Sequence, residues 1–280
     1  MISIDPVKLS ELINIYKADF KKCIPDEIYK WEEVKRFQDN WDVEADDFAD
    51  MLERSLTKTN LLDARMFYPR SVIIEFARRY ESDVRTLFSI LFDEQQNLLD
   101  RIEIFKTGIV DLHKKWNPEG GKNHFQNDNS ISTYLWLRFP DKYYIYKSSS
   151  VKKILKIIGG ETKLLSRGSN AIVETFNIYD AVAEAFIEDK EIRQLLDDAL
   201  TEESYPDPLL RTIVVDFVYY VKKYMDDSVL DVDTEVVKVN YESLGETSDK
   251  ENKYTLNNFL EEVYMNEDEY NVLKNLLLRK

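Results

Sequence analysis

The sequence predicts a mainly α-helical fold with a small antiparallel β element, which places the chain in the α+β class. The 280 residues include only 7 glycines and 7 prolines, so the chain has few obligate turns and favours long helices. Apolar residues recur at helical spacing in most segments before residue 225. Residues 131–139 differ, because apolar and polar side chains alternate there as they do in a strand.

Residues 1–116 are predicted to form a helical domain. Pro69 stands where a helix can begin, since proline fits the first helical position. Stripes at helical spacing usually face a core, so we expect their apolar members to be buried. The stripes consist of Val34, Phe37 and Trp41; Phe48, Met51, Leu52 and Leu56; Val72, Ile73, Phe76, Ala77, Tyr80, Val84, Leu87, Phe88 and Leu91; and Leu98, Ile102, Phe105, Ile109 and Leu112.

Residues 117–225 are predicted to form a mixed α/β region that begins at the break NPEGGKN. A hairpin is expected here, with strands at 131–139 and 143–147 and a turn centred on Pro140-Asp141. An even-length turn gathers five polar and aromatic residues on one face, whereas an odd-length turn would change the faces. These five residues are Tyr134, Trp136, Arg138, Tyr143 and Lys147. Helices are then predicted over 150–158, 173–187, 192–200 and 210–224.

The last part of the chain is acidic. Residues 226–280 contain fourteen Asp or Glu and six Lys or Arg, a net charge of -8. We predict an acidic linker over 226–253, since its apolar residues are loosely patterned. A short amphipathic helical segment is predicted over 254–280.

The overall charge and the cysteine content restrict the class of protein. The formal net charge is -15, so the chain repels a phosphate backbone at long range and any nucleic-acid site must be a local basic surface. Cys23 is the single cysteine, which excludes an internal disulfide and a cysteine zinc cluster and fits a reducing compartment. We see neither a signal peptide nor an apolar run of the roughly 18 residues that a membrane span needs. We therefore expect a cytoplasmic protein without a membrane partner.

One basic, aromatic stretch stands out against this acidity. Residues 138–167 contain eight Lys or Arg and two acids, a net of +6, which leaves -21 for the remainder. Lysine and arginine contact phosphates, and exposed tyrosine or tryptophan rings stack on bases. The predicted DNA-contacting residues are Tyr134, Trp136, Arg138, Lys142, Tyr143, Lys147, Lys152, Lys153, Lys156, Lys163 and Arg167. The alternative is a hairpin packed in a mixed core, with a solvated lysine helix behind it.

Catalytic motifs are not evident. Neither a phosphate-binding loop nor a G-x-S-x-G motif occurs. His113 is expected on a helix surface and His124 in a loop, eleven positions apart and without a metal-binding pattern. Pro140-Asp141 and Pro206-Asp207 are not followed by the acid-x-Lys of metal-dependent nucleases in a strand, so they indicate turns or helix starts. We expect no enzymatic activity and no cofactor in this chain.

Six stretches carry a resemblance to a known family. They are YKWEEVKRFQDNWDVEADDFADML (29–52), FYPRSVIIEFA (67–77), LFDEQQNLLDRIEIFK (91–106), NSISTYLWLRFPDKYYIYK (129–147), SYPDPLLRTIVVDFVYYV (204–221) and YTLNNFLEEVYMNEDEYNVLKNLLLRK (254–280). They resemble the region ahead of the motor domain in McrB-like AAA+ proteins, the NTP-hydrolysing subunits of modification-dependent restriction systems.

The resemblance implies a recognition module for DNA, including methylated DNA, in anti-phage defence. It further implies an AAA+ motor, in cis or as a split subunit, that uses GTP or ATP with Mg and recruits a nuclease subunit. The last stretch resembles the segment just before the motor's phosphate loop, so we expect the motor outside this chain. The alternative is a protein-interaction or phage-sensing domain of the same kind of defence protein, without direct DNA contact.

Overall fold

The computed structural model describes residues 4–63, 66–159 and 167–225, and in these ranges the chain forms eleven α-helices and one short 3-10 helix. The predicted mainly α-helical fold is confirmed. The helices are α1 Pro6–Glu27, α2 Tyr29–Asn40, α3 Phe48–Ser55, α4 Pro69–Arg79, α5 Glu81–Leu91, α6 Leu98–Trp116, α7 Asp128–Arg138, α8 Ser148–Ile157, α9 Ser169–Ile187, α10 Lys190–Ala199 and α11 Arg211–Tyr224, with the 3-10 helix at Asn60–Leu62.

Short polar side chains define where many of these helices begin. Each accepts a hydrogen bond from a backbone N–H of the first turn, which would otherwise lack a partner. These residues are Asp5, Asp47, Asn97, Asn127 and Asp189. Pro69 occupies the first position of α4, as predicted.

The predicted hairpin is wrong. Residues 128–138 form α7, and no strand occurs in the described ranges. Asn127 accepts hydrogen bonds from the first turn, and Ser130 Oγ accepts from the backbone N–H of Asn127, which completes a capping box. The hydroxyls of Ser132 and Thr133 both donate to the backbone carbonyl of Asn129.

The absence of a helical stripe in α7 has a simple cause. All residues from 131 to 137 are buried, so α7 is enclosed on every side and shows no polar face. Without a polar face, the apolar residues of this segment do not repeat every 3.6 residues. Its aromatic and β-branched residues are those that strands prefer, so the sequence predicted a strand. Residues 139–147 then connect α7 to α8 without forming a second strand.

The helices pack around one continuous core that includes residues from both sides of position 117. The helix α7 packs against α2 and α9, and α11 packs against α1, α2, α8 and α9. The predicted linker at 226–253 and the predicted segment at 254–280 lie outside the described residues.

A buried charge cluster joins α1, α2 and α11. Lys30 is 1% exposed, and its Nζ lies 2.7 Å from Glu27 Oε2 and 2.5 Å from Asp216 Oδ1. The hydroxyl of Tyr16 donates to the other oxygen of Asp216 at 2.6 Å. Burial alone lowers the pKa of Lys30, but the attraction of Asp216 and Glu27 outweighs it and raises the pKa above the usual value. The lysine therefore stays charged in the core.

The carboxylate of Asp207 fixes the start of α11. It accepts hydrogen bonds from the backbone N–H groups of Arg211, Thr212 and Ile213 and from the indole of Trp31. Burial raises the pKa of Asp207 to about 6, and the backbone donors act against this rise. The Pro206-Asp207 pair thus marks a helix start, as predicted.

Candidate nucleic-acid interface

Two of the predicted DNA-contacting residues, Tyr134 and Trp136, lie in the core. Both side chains are 0% exposed on α7. The ring of Tyr134 contacts the rings of Phe88 and Phe105, and the indole of Trp136 donates to Thr212 Oγ1 at 3.3 Å. The prediction that they stack on bases is therefore wrong for this conformation, because a base cannot reach either ring.

Tyr143 and Lys142 belong to a polar cluster at the end of α5. Tyr143 is buried, and its hydroxyl donates to Glu94 Oε1 at 2.6 Å and accepts from Arg101 at 2.8 Å. Lys142 is exposed, and its Nζ lies 2.7 Å from the same Glu94 oxygen. The ring of Tyr143 is thus unavailable for stacking, and the charge of Lys142 is largely balanced by Glu94.

Arg138 lies at the C-terminal end of α7 and is half-buried. Its guanidinium stands 4.9 Å from the centre of the Phe139 ring. A cation is favourable at this end of a helix, because the helix dipole is negative there. The position of Arg138 therefore has a structural explanation that involves no ligand.

The exposed part of the predicted basic stretch is α8. Lys147 precedes this helix, and Lys152 and Lys156 are exposed on it, whereas Lys153 is half-buried. The residues from Ser148 to Ile157 include no acid. The opposite side of α8 is buried and packs against α11. The helix predicted over 150–158 is confirmed, and its exposed lysines agree with the solvated lysine helix of the alternative reading. The packed hairpin of that alternative is wrong, because residues 128–138 form α7.

The starts of α7 and α9 lie close together beside α6. Lys106 Nζ of α6 lies 2.7 Å from Asp128 Oδ1, at the first position of α7, and 3.1 Å from Ser169 Oγ, at the first position of α9. Asn129 Nδ2 donates to the carbonyl of Tyr146, just before α8 begins. Three helix starts thus meet here, and each carries partial positive charge. Lys106 could not be predicted as part of this site, because no sequence signal connects it to residues 128 and 169.

Two predicted residues flank these helix starts. Lys147 is exposed directly before α8, and Arg167 is exposed two residues before α9. Among the described residues, neither of these helices has a side-chain cap. The third predicted residue of this part, Lys163, lies outside the described residues. Lys147, Arg167 and the outer side of α8 are accessible, and we call them the α8 basic surface; Lys142 is exposed as well but pairs with Glu94.

The fold brings together the two histidines, which lie eleven positions apart in the sequence. The ring centres of His113 and His124 are 5.1 Å apart. His113 Nε2 donates to the carbonyl of Lys122 at 2.8 Å, and His124 Nδ1 accepts from the backbone N–H of Gln126 at 3.0 Å. This bond leaves the proton of His124 on Nε2, so the ring does not offer that nitrogen to a metal. Burial and the neighbouring His113 lower the pKa of His124 to about 4.

The His124 environment predicts a pH dependence of stability. In the unfolded chain a histidine binds a proton near pH 6.5, whereas folded His124 resists protonation down to about pH 4. The free energy of unfolding should therefore fall as the pH drops from about 6.5 to about 4, and should be independent of this group at higher pH. Denaturant titrations across this range should show a steeper fall for the wild-type chain than for His124→Gln. A constant difference between the two proteins at all pH values would contradict the assignment.

Within residues 4–63, 66–159 and 167–225, no group of three or more histidine, cysteine, aspartate or glutamate side chains is placed to hold a metal ion. In these ranges no helix combines the length and apolar character that crossing a membrane requires. No protein-family model, no curated protein and no solved structure matches this chain.

Proposed function

We propose that this chain is the DNA-recognition module of an McrB-like restriction system, and that the α8 basic surface contacts DNA phosphates. The observation that carries the proposal is the outer side of α8, which presents lysines and no acid on an otherwise acidic protein. The partial positive charge of the adjacent helix starts supports it. The AAA+ motor and the nuclease subunit that the resemblance implies are partners within the same proposal.

The mode of contact follows from which residues are accessible. Because Tyr134, Trp136 and Tyr143 are buried, the interaction relies on charge and backbone contacts rather than on base stacking by these rings. Phosphate contacts position a protein on the duplex but carry no sequence information. We therefore expect the α8 basic surface to supply most of the affinity and little of the selectivity for a modified base.

The acidic remainder of the protein would then restrict where DNA binds. Outside residues 138–167 the chain carries a net charge of -21, which repels phosphates from most of its surface. DNA could approach this module with little repulsion only at the basic surface, which limits non-specific binding elsewhere.

The first test reverses the charge of the α8 basic surface. The triple variant Lys147→Glu, Lys152→Glu, Lys153→Glu should bind a DNA duplex at least about tenfold more weakly, which is about 1.4 kcal/mol. The slope of log affinity against log salt should decrease by about one unit for each phosphate contact that is lost. Fluorescence anisotropy at several salt concentrations measures both quantities.

A matched triple variant controls for net charge. Lys21, Lys114 and Lys222 are exposed lysines outside the α8 basic surface, and their replacement by glutamate gives the same total charge. This control should bind DNA much more tightly than the α8 variant does. Equal losses in the two triple variants would reject α8 as the contact surface.

Recognition of a modified base needs a separate measurement. The wild-type chain should be titrated with one duplex carrying methylated cytosine or adenine and with the same duplex unmethylated, at two salt concentrations. Tighter binding of a methylated duplex supports a specificity module. If no duplex binds at low salt, the DNA proposal fails and the protein-interaction alternative replaces it.

A further inference from the structure

An open groove of about 350 Å³ lies between α1 and the second half of α9. Its lining includes the buried Leu9 and Ile13 of α1 and the half-buried Ala181 and Ala185 of α9. The two residues of each pair are four positions apart, so they form short rows along their helices. Because the alanine side chains are short, they leave space that a larger side chain could occupy.

The charge around the groove is negative. Residues 5–17 and 180–191, which carry most of the lining of α1, α9 and the start of α10, contain seven acids and three lysines. Asp180 does not line the groove and pairs with Arg211 of α11, so six of these acids are available to set the local charge. Lys17 is already engaged, with its Nζ 2.8 Å from both Asp189 and Glu191. Glu184 lines the groove and is exposed. This charge is opposite in sign to that of the α8 basic surface.

We propose that the groove binds an amphipathic helix of a partner protein, with aliphatic side chains on one face and lysine or arginine beside them. Aliphatic anchors at helical spacing would lie between the rows of α1 and α9, as in other helix-in-groove complexes. The basic side chains would reach Glu184 and the neighbouring acids, whose potential also steers such a segment to the groove. Nucleic acid is a poor ligand here because the same acids repel phosphates.

A synthetic peptide can test the proposal without knowledge of the natural partner. The probe is a fluorescein-labelled helical peptide with leucines at i, i+3, i+4 and i+7 and lysines elsewhere, together with the same peptide carrying glutamates in place of lysines. The lysine peptide should bind the wild-type chain, and the glutamate peptide should not. Ala185→Trp fills the groove without changing the net charge, and it should weaken lysine-peptide binding by at least about tenfold.

Ala18→Trp provides the matched control. Ala18 is an exposed alanine of α1 that does not line the groove, so this variant should bind the lysine peptide like the wild type. Circular dichroism and thermal unfolding should confirm that both variants fold, and Ala185→Trp should leave DNA binding unchanged. Equal peptide affinity in Ala185→Trp and wild type would show general attraction to an acidic protein and overturn the proposal. Absence of lysine-peptide binding to the wild type would overturn it as well.

Discussion

Replacing Lys30 with methionine should lower the free energy of unfolding by about 3–5 kcal/mol. The ammonium group of Lys30 is buried between Glu27 and Asp216. Methionine would leave the Asp216 carboxylate without this cation, whereas Glu27 would keep the more distant Lys223, whose Nζ lies 3.5 Å away. An uncompensated buried charge costs far more than the lost attraction between two solvated ions. Equilibrium unfolding in urea, monitored by tryptophan fluorescence, measures the loss.

A matched lysine variant separates this effect from the loss of a surface ion pair. Lys35 pairs with Asp39 one turn away, with its Nζ 2.9 Å from the carboxylate, but both side chains are partly exposed. Lys35→Met should therefore cost less than about 1 kcal/mol. If Lys30→Met costs no more than Lys35→Met, the buried cluster does not exist as described.

A second substitution tests which partner is left unpaired. Adding Asp216→Asn to Lys30→Met removes one buried negative charge, and the asparagine oxygen can still accept the hydroxyl of Tyr16. The double variant should therefore recover part of the stability that Lys30→Met loses. Additive losses would instead indicate that Lys30 and Asp216 do not interact.

Many of the helices that sequence reasoning found expose one side to solvent, although α11 is buried at every position from 212 to 218. In α5, Val84, Leu87, Phe88 and Leu91 are buried whereas Ser82, Thr86 and Ser89 are exposed, so the core-facing side repeats at the helical period. The start of α4 at Pro69 was also predictable, because proline restricts the backbone locally. The mainly α-helical class was predictable from apolar spacing and from proline, because each of these signals depends on a few neighbouring residues and not on tertiary packing.

The failure at α7 has the opposite cause. A helix buried on all sides has no polar stripe, and Tyr134 and Trp136 carry the composition of a strand. The capping pair Asn127 and Ser130 was the remaining local indication of a helix. An aromatic residue next to a basic one is therefore weak evidence for a nucleic-acid surface until its burial is known.

The candidate site was only partly predictable for a different reason. The lysines of α8 could be found because they are close in sequence and residues 148–157 contain no Asp or Glu. The contacts of Lys106 with Asp128 and Ser169 join three helices, and only tertiary packing defines them. The same holds for the His113–His124 contact and for the groove between α1 and α9.

Replacing Trp136 with alanine should cost about 3–5 kcal/mol of stability. The indole is 0% exposed, so its removal takes apolar contacts from the core and leaves a cavity, and it also removes the hydrogen bond to Thr212. Trp116→Ala controls for residue type, because Trp116 is partly exposed at the end of α6 and should lose less. Chemical denaturation of the three proteins gives the comparison.

Substitution of Trp136 also distinguishes a buried α7 from a hairpin that faces DNA. A hairpin that stacks on bases would make Trp136 important for binding, at roughly 1–3 kcal/mol per stacked base, and unimportant for stability. In a buried α7, Trp136 is important for stability and unimportant for DNA binding. The milder variant Trp136→Phe should therefore bind DNA like the wild type under conditions in which it is folded. Reduced DNA affinity in a Trp136→Phe variant of undiminished stability would favour the hairpin. Reduced stability with unchanged affinity places the DNA contact elsewhere, in agreement with the α8 basic surface.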